Sequence, residues 1–203
     1  MIAVIDYGIG NLGSAYKALK ALRVDAELVD HPRSVSEISG LILPGVGSFG
    51  ACISALRFTG LDRMVYQAQQ SSIPVLGICV GMQMLYQRSE ESPGASGLGL
   101  LNGEVRRLRN AKKLPHMSWD TITTIKSSSL LKGFTGGEWF YFVHSFAPEV
   151  TDQTVASCDF GSVFTAVAGD GLVFGTQFHP EKSSSNGLML LSNFVALCSE
   201  VSS

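Results

Sequence analysis

The run Pro74-Val75-Leu76-Gly77-Ile78-Cys79-Val80-Gly81-Met82-Gln83 decides how the rest of the chain is read. Val75 to Ile78 has the apolar character of a strand buried on both faces. It breaks at Gly77-Ile78-Cys79-Val80-Gly81, and a helical pattern carrying Met82, Leu85 and Tyr86 follows. Strand, tight turn and helix with G-x-C-x-G at the turn form the cysteine version of a nucleophile elbow. The flanking glycines let the backbone turn sharply and hold the reactive side chain out at the strand end. A thiol in the first turn of a helix also faces unpaired amide N–H groups and the positive end of the helix dipole, which favour the attacking thiolate. Cys79 is the candidate nucleophile. A cysteine in apolar surroundings is also commonly a small buried hydrophobe, so the assignment needs a base.

Leu172-Val173-Phe174-Gly175-Thr176-Gln177-Phe178 reads as a strand running into His179-Pro180-Glu181. Pro180 cannot continue a hydrogen-bonded ladder and fixes its own φ, so His179 and Glu181 project from a rigid loop at a strand end. Sites form at that end of a doubly wound sheet. An imidazole there can take the thiol proton and later protonate a leaving amine, while a carboxylate holds its orientation and tautomer. Alone, His-Pro-Glu is an ordinary polar turn; joined to the elbow it supplies base and orienter.

A third strand end comes from Gly40 to Leu43, followed by Pro44-Gly45-Val46-Gly47-Ser48-Phe49-Gly50. Backbone amides of such a loop can serve as an oxyanion hole, and Pro-Gly after a strand is also common turn chemistry. Helical patterns follow around 51–57 and 61–70. The chain opens with a strand at Met1 to Asp6, a helix with Leu12, Ala15, Leu19 and Leu22 on one face, and a strand at Ala26 to Val29, which make a βαβ start. Gly8, Gly10 and Gly13 with Asp30 also satisfy a dinucleotide fingerprint in its required context. The competing reading is that these glycines serve a tight turn and close helix packing.

After Gln87 the texture changes. Residues 89–99 read as a polar, Gly/Pro-rich loop, and strand-like pieces follow at 103–108, 121–126, 140–143, 155–158, 163–167 and 172–178, with turn signals at Gly136-Gly137, Asp159, Gly161 and Gly169-Asp170-Gly171. A last helix is expected over about 187–198. Of the remaining histidines, His31 reads as solvated, while His116 and His144 stand beside aromatic residues with no carboxylate close in sequence. Binding or structural roles are expected for those two.

The 203 residues, 45% hydrophobic and 16% charged, suit one domain with one sizeable core. A net charge of −2 and a pI near 6.1 give no electrostatic case for nucleic acid or an anionic membrane. The basic cluster Arg106-Arg107-Leu108-Arg109 with Lys112-Lys113 reads as a solvated or partner-facing surface. Cys52, Cys79, Cys158 and Cys198 lie far apart, without C-x-x-C or zinc-like spacing, and read as free thiols in a reducing compartment. No leader and no membrane span is read in the sequence, and a cytoplasmic protein is expected.

With Gly77-Ile78-Cys79-Val80-Gly81-Met82-Gln83 and His179-Pro180-Glu181 both placed, the chain resembles the class I, or triad-type, glutamine amidotransferases over nearly its whole length. The resemblance implies an α/β fold, one glutaminase domain over residues 1–203, with a central mostly parallel sheet flanked by helices and a strand-rich, partly antiparallel second half. It implies hydrolysis of glutamine through a γ-glutamyl thioester on Cys79, with His179 as base and Glu181 as its orienter. The oxyanion would be held by the backbone N–H of Val80 and one from residues 45–47, assigned to Val46. Gly47, Gln83, Ser145 and Phe146 match positions that hold substrate glutamine. No metal and no cofactor is called for.

Narrower features are the Asp6-Tyr7-Gly8-Ile9-Gly10-Asn11 start, the loop 44–50, Pro115-His116-Met117-Ser118-Trp119, Tyr141-Phe142-Val143-His144-Ser145-Phe146, and Lys182-Ser183. They resemble the branch of glutaminase subunits that serve histidine biosynthesis, and they argue against the branch that serves vitamin B6 synthesis. That resemblance implies a (βα)8-barrel cyclase as partner, docked on a face that includes Trp119, Tyr141 and Lys182. Ser118 and Asp120 depart from the small Gly and Asn usual around the tryptophan, and Asp120 is expected to add a charge near the docking face. A dinucleotide-binding module, or a docking subunit with a silent triad, are the competing readings.

Overall fold

A computed structural model describes residues 1–111 and 113–201. Lys112 of the basic cluster lies outside the described residues. The chain opens with β1 (Ile2–Ile5), α1 (Leu12–Ala21), β2 (Ala26–Val29) and β3 (Gly40–Gly45). Next come α2 (Phe49–Phe58), α3 (Asp62–Gln70), β4 (Val75–Cys79) and α4 (Val80–Leu85). The second half holds β5 (Arg88–Ser89), β6 (Glu104–Arg107), β7 (His116–Thr121), β8 (Thr123–Thr124), β9 (Trp139–His144) and β10 (Phe146–Pro148). It ends with β11 (Thr154–Asp159), β12 (Val163–Asp170), β13 (Val173–Thr176) and α5 (Ser184–Val201).

Eight strands form the central sheet in the order β2-β1-β3-β4-β13-β12-β11-β8. The pairs from β2 to β13 are parallel; β12, β11 and β8 extend the sheet antiparallel. β1, β3, β4 and β13 are buried at every position, which is why their sequences run continuously apolar instead of alternating. A three-stranded sheet (β10-β6-β5) and a two-stranded ribbon (β7-β9) complete the second half.

Several element boundaries depart from the sequence reading. The stretch expected as a strand over 121–126 holds only the last residue of β7 and the two-residue β8, and β7 begins five residues earlier, at His116. Its inward positions are His116, Ser118 and Asp120, polar residues that hide the alternation on which strand recognition rests. Of the turn expected at Gly169-Asp170-Gly171, Gly171 alone lies in the turn, because β12 runs on to Asp170, with Gly169 paired to Phe174 and Asp170 to Val173. α2 starts at Phe49, two residues before its clear periodicity, because Ser48 caps it through a 3.4 Å hydrogen bond accepted from the Ala51 N–H.

At the elbow the strained backbone lies on Cys79 itself, with φ +55° and ψ −113°. The flanking glycines are not in the left-handed region; they are there for space. A Cβ on Gly81 would stand 1.8 Å from the Leu43 carbonyl oxygen, and one on Gly77 would stand 2.7 Å from the Met82 backbone. The expectation that the glycines themselves make the turn is therefore corrected: they let α4 press against β3 and fold back over β4, and the close packing holds Cys79 in a conformation that costs on the order of 1–3 kcal/mol.

Gly81→Ala is expected to destabilise the fold by at least about 3 kcal/mol. Gly13→Ala, where a Cβ inside α1 meets nothing within 4 Å, should stabilise it by roughly 0.5–1 kcal/mol through helix propensity. Urea unfolding of the two variants beside the parent chain tests both signs.

Candidate active site

β3, β4 and β13 are neighbours in the sheet, so their carboxyl ends deliver three loops side by side. Gly45 pairs with Cys79, and Ile78 with Thr176. The loop after β3, the elbow after β4 and the His-Pro-Glu turn after β13 meet at one cavity of about 290 Å³. Val46, Gly47, Cys79, Val80, Gln83, Ser145, Phe146, His179 and Lys182 all line it, together with Glu91, Val143 and His144. Residues from separate parts of the sequence thus converge on an amino-acid-sized space.

His179 is 2% exposed, and its Nδ1 lies 2.8 Å from Oε1 of Glu181, whose side chain is 3% exposed. That contact pins Nδ1 as the protonated nitrogen and leaves Nε2 for the thiol. Burial alone would lower the imidazole's pKa, but the Cys79 thiol and the Glu181 carboxylate beside it raise it to about 10. The ring is therefore protonated at both nitrogens at neutral pH. Glu181 Oε2 is buried with no hydrogen-bond partner among the described residues, so the neighbouring cation is the main compensation for this buried carboxylate.

Val80 is the first residue of α4, so its N–H has no partner within the helix. Gly47 adopts φ +92°, and a Cβ there would meet nothing within 4 Å, so backbone conformation and not crowding selects glycine. Behind this loop the Tyr7 hydroxyl donates to the Pro44 carbonyl at 2.8 Å and the Cys52 thiol to the Val46 carbonyl at 3.2 Å. Gln83, 3% exposed, donates from Nε2 to the Phe146 carbonyl at 2.9 Å.

Two residues at the site escaped the sequence reading. Glu91 lies in what reads as a plain polar loop, yet its carboxylate accepts from the Phe49 N–H at 2.7 Å, at the start of α2, and lines the cavity. The paired acids Glu90-Glu91 after the elbow helix were the available signal. Gln177, fully buried, joins Gln83 to Cys79; an amide inside an otherwise apolar run was its signal.

His144 and His116 differ sharply from His179. His144 Nδ1 sits 3.0 Å from the Phe146 carbonyl, and burial, aided by His116, pushes its pKa down to about 3. His116 lies between the rings of Phe142 and Phe160, with centroids 4.9 and 3.9 Å away, and is also lowered, chiefly by burial. The expectation of no carboxylate near His116 is corrected by Asp120, four residues on along the same strand face, whose Oδ2 lies 3.5 Å from the ring. The same alternation puts Asp120 on the face of the ribbon opposite Trp119.

The outward face carries Met117, Trp119 and Trp139, exposed by 60%, 44% and 55%. Trp119 pairs across the ribbon with Tyr141, ring centroids 6.2 Å apart, and Lys182 stands exposed at the cavity. Within the basic cluster, Arg106 contacts Glu90, Glu104 and Glu149, and Arg109 contacts Glu90. Gly8, the first glycine of the dinucleotide-like pattern, gives its N–H to Asp6 Oδ1 at 3.0 Å, the donor a phosphate would need. Among the described residues no cluster of His, Cys, Asp or Glu is arranged to hold a metal ion, and no helix is long and apolar enough to cross a membrane.

Three strand ends thus bring a cysteine elbow and a buried His–Glu pair to one small cavity of an α/β fold. The sequence model of the class I glutamine amidotransferases matches residues 3–198, and the chain belongs to that family. It is 44% identical to the imidazole glycerol phosphate synthase subunit HisH of a Geobacillus species, over 97% of each chain. It is 42% identical to the HisH subunits of Bacillus subtilis, over 98% of each chain, and of Moorella thermoacetica, over 95% of this chain and 93% of the other. Among solved structures, a glutamine amidotransferase matches with a TM-score of 0.77 at 20% identity, covering 98% of this chain and 100% of the other. PurLQS from Thermotoga maritima matches with a TM-score of 0.77 at 21% identity, covering 96% and 97%. At that identity the structural matches speak for the fold.

His144 and His116 bind fewer protons folded than unfolded between their lowered pKa values and the ordinary 6.5. Their contribution to stability is complete above about pH 6.5 and is lost as the pH falls, for His144 toward about 3. His179 has the opposite sign: its contribution is complete below about 6.5 and is lost as the pH rises through about 10. Urea midpoints at pH 7 and pH 4 should therefore lie closer together in His144→Asn than in the parent chain; an equal or wider gap would contradict this.

Proposed function

We propose that this chain, one glutaminase domain over residues 1–203, is the glutaminase subunit of an imidazole glycerol phosphate synthase and supplies ammonia to a (βα)8-barrel cyclase subunit in histidine biosynthesis. The observation that carries this reading is identity of 42–44% over nearly the full length of both chains to HisH subunits of that synthase. A cytoplasmic location accords with such a biosynthetic role.

In the proposed mechanism the Cys79 sulfur attacks the carboxamide carbon of glutamine, and the proton of the thiol resides on His179. The tetrahedral oxyanion is held by the backbone N–H groups of Val80 and Val46. His179 then gives its proton to the nitrogen as the C–N bond breaks, so ammonia leaves and a γ-glutamyl thioester remains on Cys79. Water attacks the thioester with His179 as base, the C–S bond breaks, and glutamate and the free thiol are restored. Glu181 holds the ring through both half-reactions.

Gly47, Gln83 and the Ser145-Phe146 backbone hold the substrate. Glu91 adds a carboxylate at the cavity that suits an α-ammonium group, the feature that separates an amino acid from a simple amide. Met117, Trp119, Tyr141 and Trp139 make an exposed apolar face on the ribbon whose inner end borders the cavity at Val143 and His144. Aromatic residues on such a face are the usual anchors of a protein interface. Trp119, Tyr141 and Lys182 are the docking residues in this reading.

Glutamate release from glutamine should be slow for the chain alone and rise strongly when a cyclase subunit and its nucleotide ligand are added. Cys79→Ala should abolish it with the fold intact, and Glu181→Gln should lower kcat by roughly 10³–10⁴-fold, as loss of a histidine's orienting carboxylate does elsewhere. Full turnover in Cys79→Ala would refute the mechanism. Trp119→Ala is expected to weaken cyclase binding by about 30-fold, or about 2 kcal/mol, with the cysteine still reactive toward alkylation.

A further inference from the structure

We propose that Gln177 is a catalytic residue that donates its side-chain N–H to the Cys79 sulfur, stabilising the thiolate and tying the nucleophile to Gln83. The proposal rests on the glutaminase reading of the site and adds to it a donor outside the Cys–His–Glu set and the two backbone amides.

The assignment of donor and acceptor follows from one fixed point. The Phe146 carbonyl can only accept, so the Gln83 atom 2.9 Å from it is the amide nitrogen. The same nitrogen lies 3.0 Å from the Gln177 side chain, so the Gln177 atom facing it is the carbonyl oxygen Oε1. That leaves the NH2 group of Gln177 facing Cys79, with Nε2 3.8 Å from Sγ. The orientation of both amides is thus dictated by hydrogen-bond logic running from a backbone carbonyl to the sulfur. An N–H to sulfur contact is longer than one to oxygen because sulfur is larger, and a charged acceptor strengthens it.

The placement is rigid. Gln177 is fully buried, and its own N–H donates to the Ala166 carbonyl at 2.9 Å on β12, just beyond the end of β13. An amide in such a position carries a desolvation cost unless its polar atoms are used, and here Oε1 meets Gln83 while Nε2 meets the sulfur. A neutral donor also suits the chemistry. It favours the thiolate in a low-dielectric site and holds no proton that competes with the one on His179. Gln83 in turn has both N–H groups occupied, so its Oε1 is the atom left for substrate.

The deciding measurement is the pH dependence of Cys79 alkylation by iodoacetamide in the purified chain, read by peptide mass. The other thiols are poor competitors: burial raises Cys52, and pushes Cys158 and Cys198 up to about 12. In Gln177→Met, close in size but without the donor, the alkylation midpoint should rise by about one pH unit, and kcat with the cyclase present should fall about tenfold, with KM for glutamine changed less than about threefold. An unchanged midpoint in a folded Gln177→Met chain would overturn the proposal, whatever happens to turnover, because a purely structural link through Gln83 does not act on the thiol. Should that variant not fold, the side-chain amide protons of Gln177 in the unsubstituted chain serve instead. They should shift as Cys79 ionises and stay fixed in Cys79→Ala; no difference between the two chains would likewise overturn it. Alkylation needs no glutamine turnover, so a shifted midpoint in a chain that never hydrolyses glutamine would support the donor role while sinking the glutaminase reading.

Discussion

The packing of Gly81 against the Leu43 carbonyl, where a Cβ would stand 1.8 Å from the oxygen, is the contact on which the site depends. It lets the first turn of α4 sit directly on β3, so the chain reverses within one residue of the end of β4. With no room to relax, Cys79 takes φ +55°, and its side chain is lifted to the rim where the β3 and β13 loops also arrive. Gly45 continues the same logic, since a Cβ there would lie 2.6 Å from the Gly81 nitrogen. The nucleophile and the oxyanion loop are therefore brought together by missing side chains as much as by the groups that are present.

The three buried histidines near the site show how burial and the partner together set charge. All are less than a tenth exposed, and burial pulls each toward neutrality. His144 is offered a backbone carbonyl, which accepts a hydrogen bond without supplying a full charge, and it falls to about 3. His116 has Asp120 at the edge of its aromatic stack and is still lowered. His179 has a buried carboxylate at hydrogen-bond distance and a thiol on its other side, and it rises to about 10. One protonated imidazole thus stands among neutral ones, at the cysteine.

The parts of this arrangement legible in the sequence were those carried by contiguous pattern. The elbow and the His-Pro-Glu turn are each written within about ten residues and the βαβ start within the first thirty, and the strands β1, β4 and β13 are apolar runs because both faces are buried. What remained hidden depended on neighbours far away in sequence. Glu91 becomes a site residue only when the loop after α4 meets the start of α2, and Gln177 only when β13 lies beside β4. β7 was misplaced because its inner face is polar, and a polar inner face makes sense only once the aromatic cluster from β9 and β12 packs over it. The elbow glycines were recognised for their position but not for their role, since crowding is a property of the packed fold and not of a dipeptide.

The main chain of Tyr141 joins the ribbon to the catalytic loop. The His179 N–H donates to the Tyr141 carbonyl at 3.0 Å. The Tyr141 N–H donates to Ser183 Oγ at 3.0 Å, and that hydroxyl donates to the His179 carbonyl at 2.6 Å. The main chain of Tyr141 is thus part of the frame that holds the imidazole, while its side chain packs beside Trp119 on the outward face. A partner seated on that face would act on the same strand that carries His144 and leads through Ser145 to Phe146 at the cavity. Since a displacement of well under an ångström alters the alignment of a proton transfer, pressure on β9 reaches both the base and the substrate-binding backbone without passing through mobile side chains. In the proposed function, this frame offers a physical route by which docking would be coupled to hydrolysis.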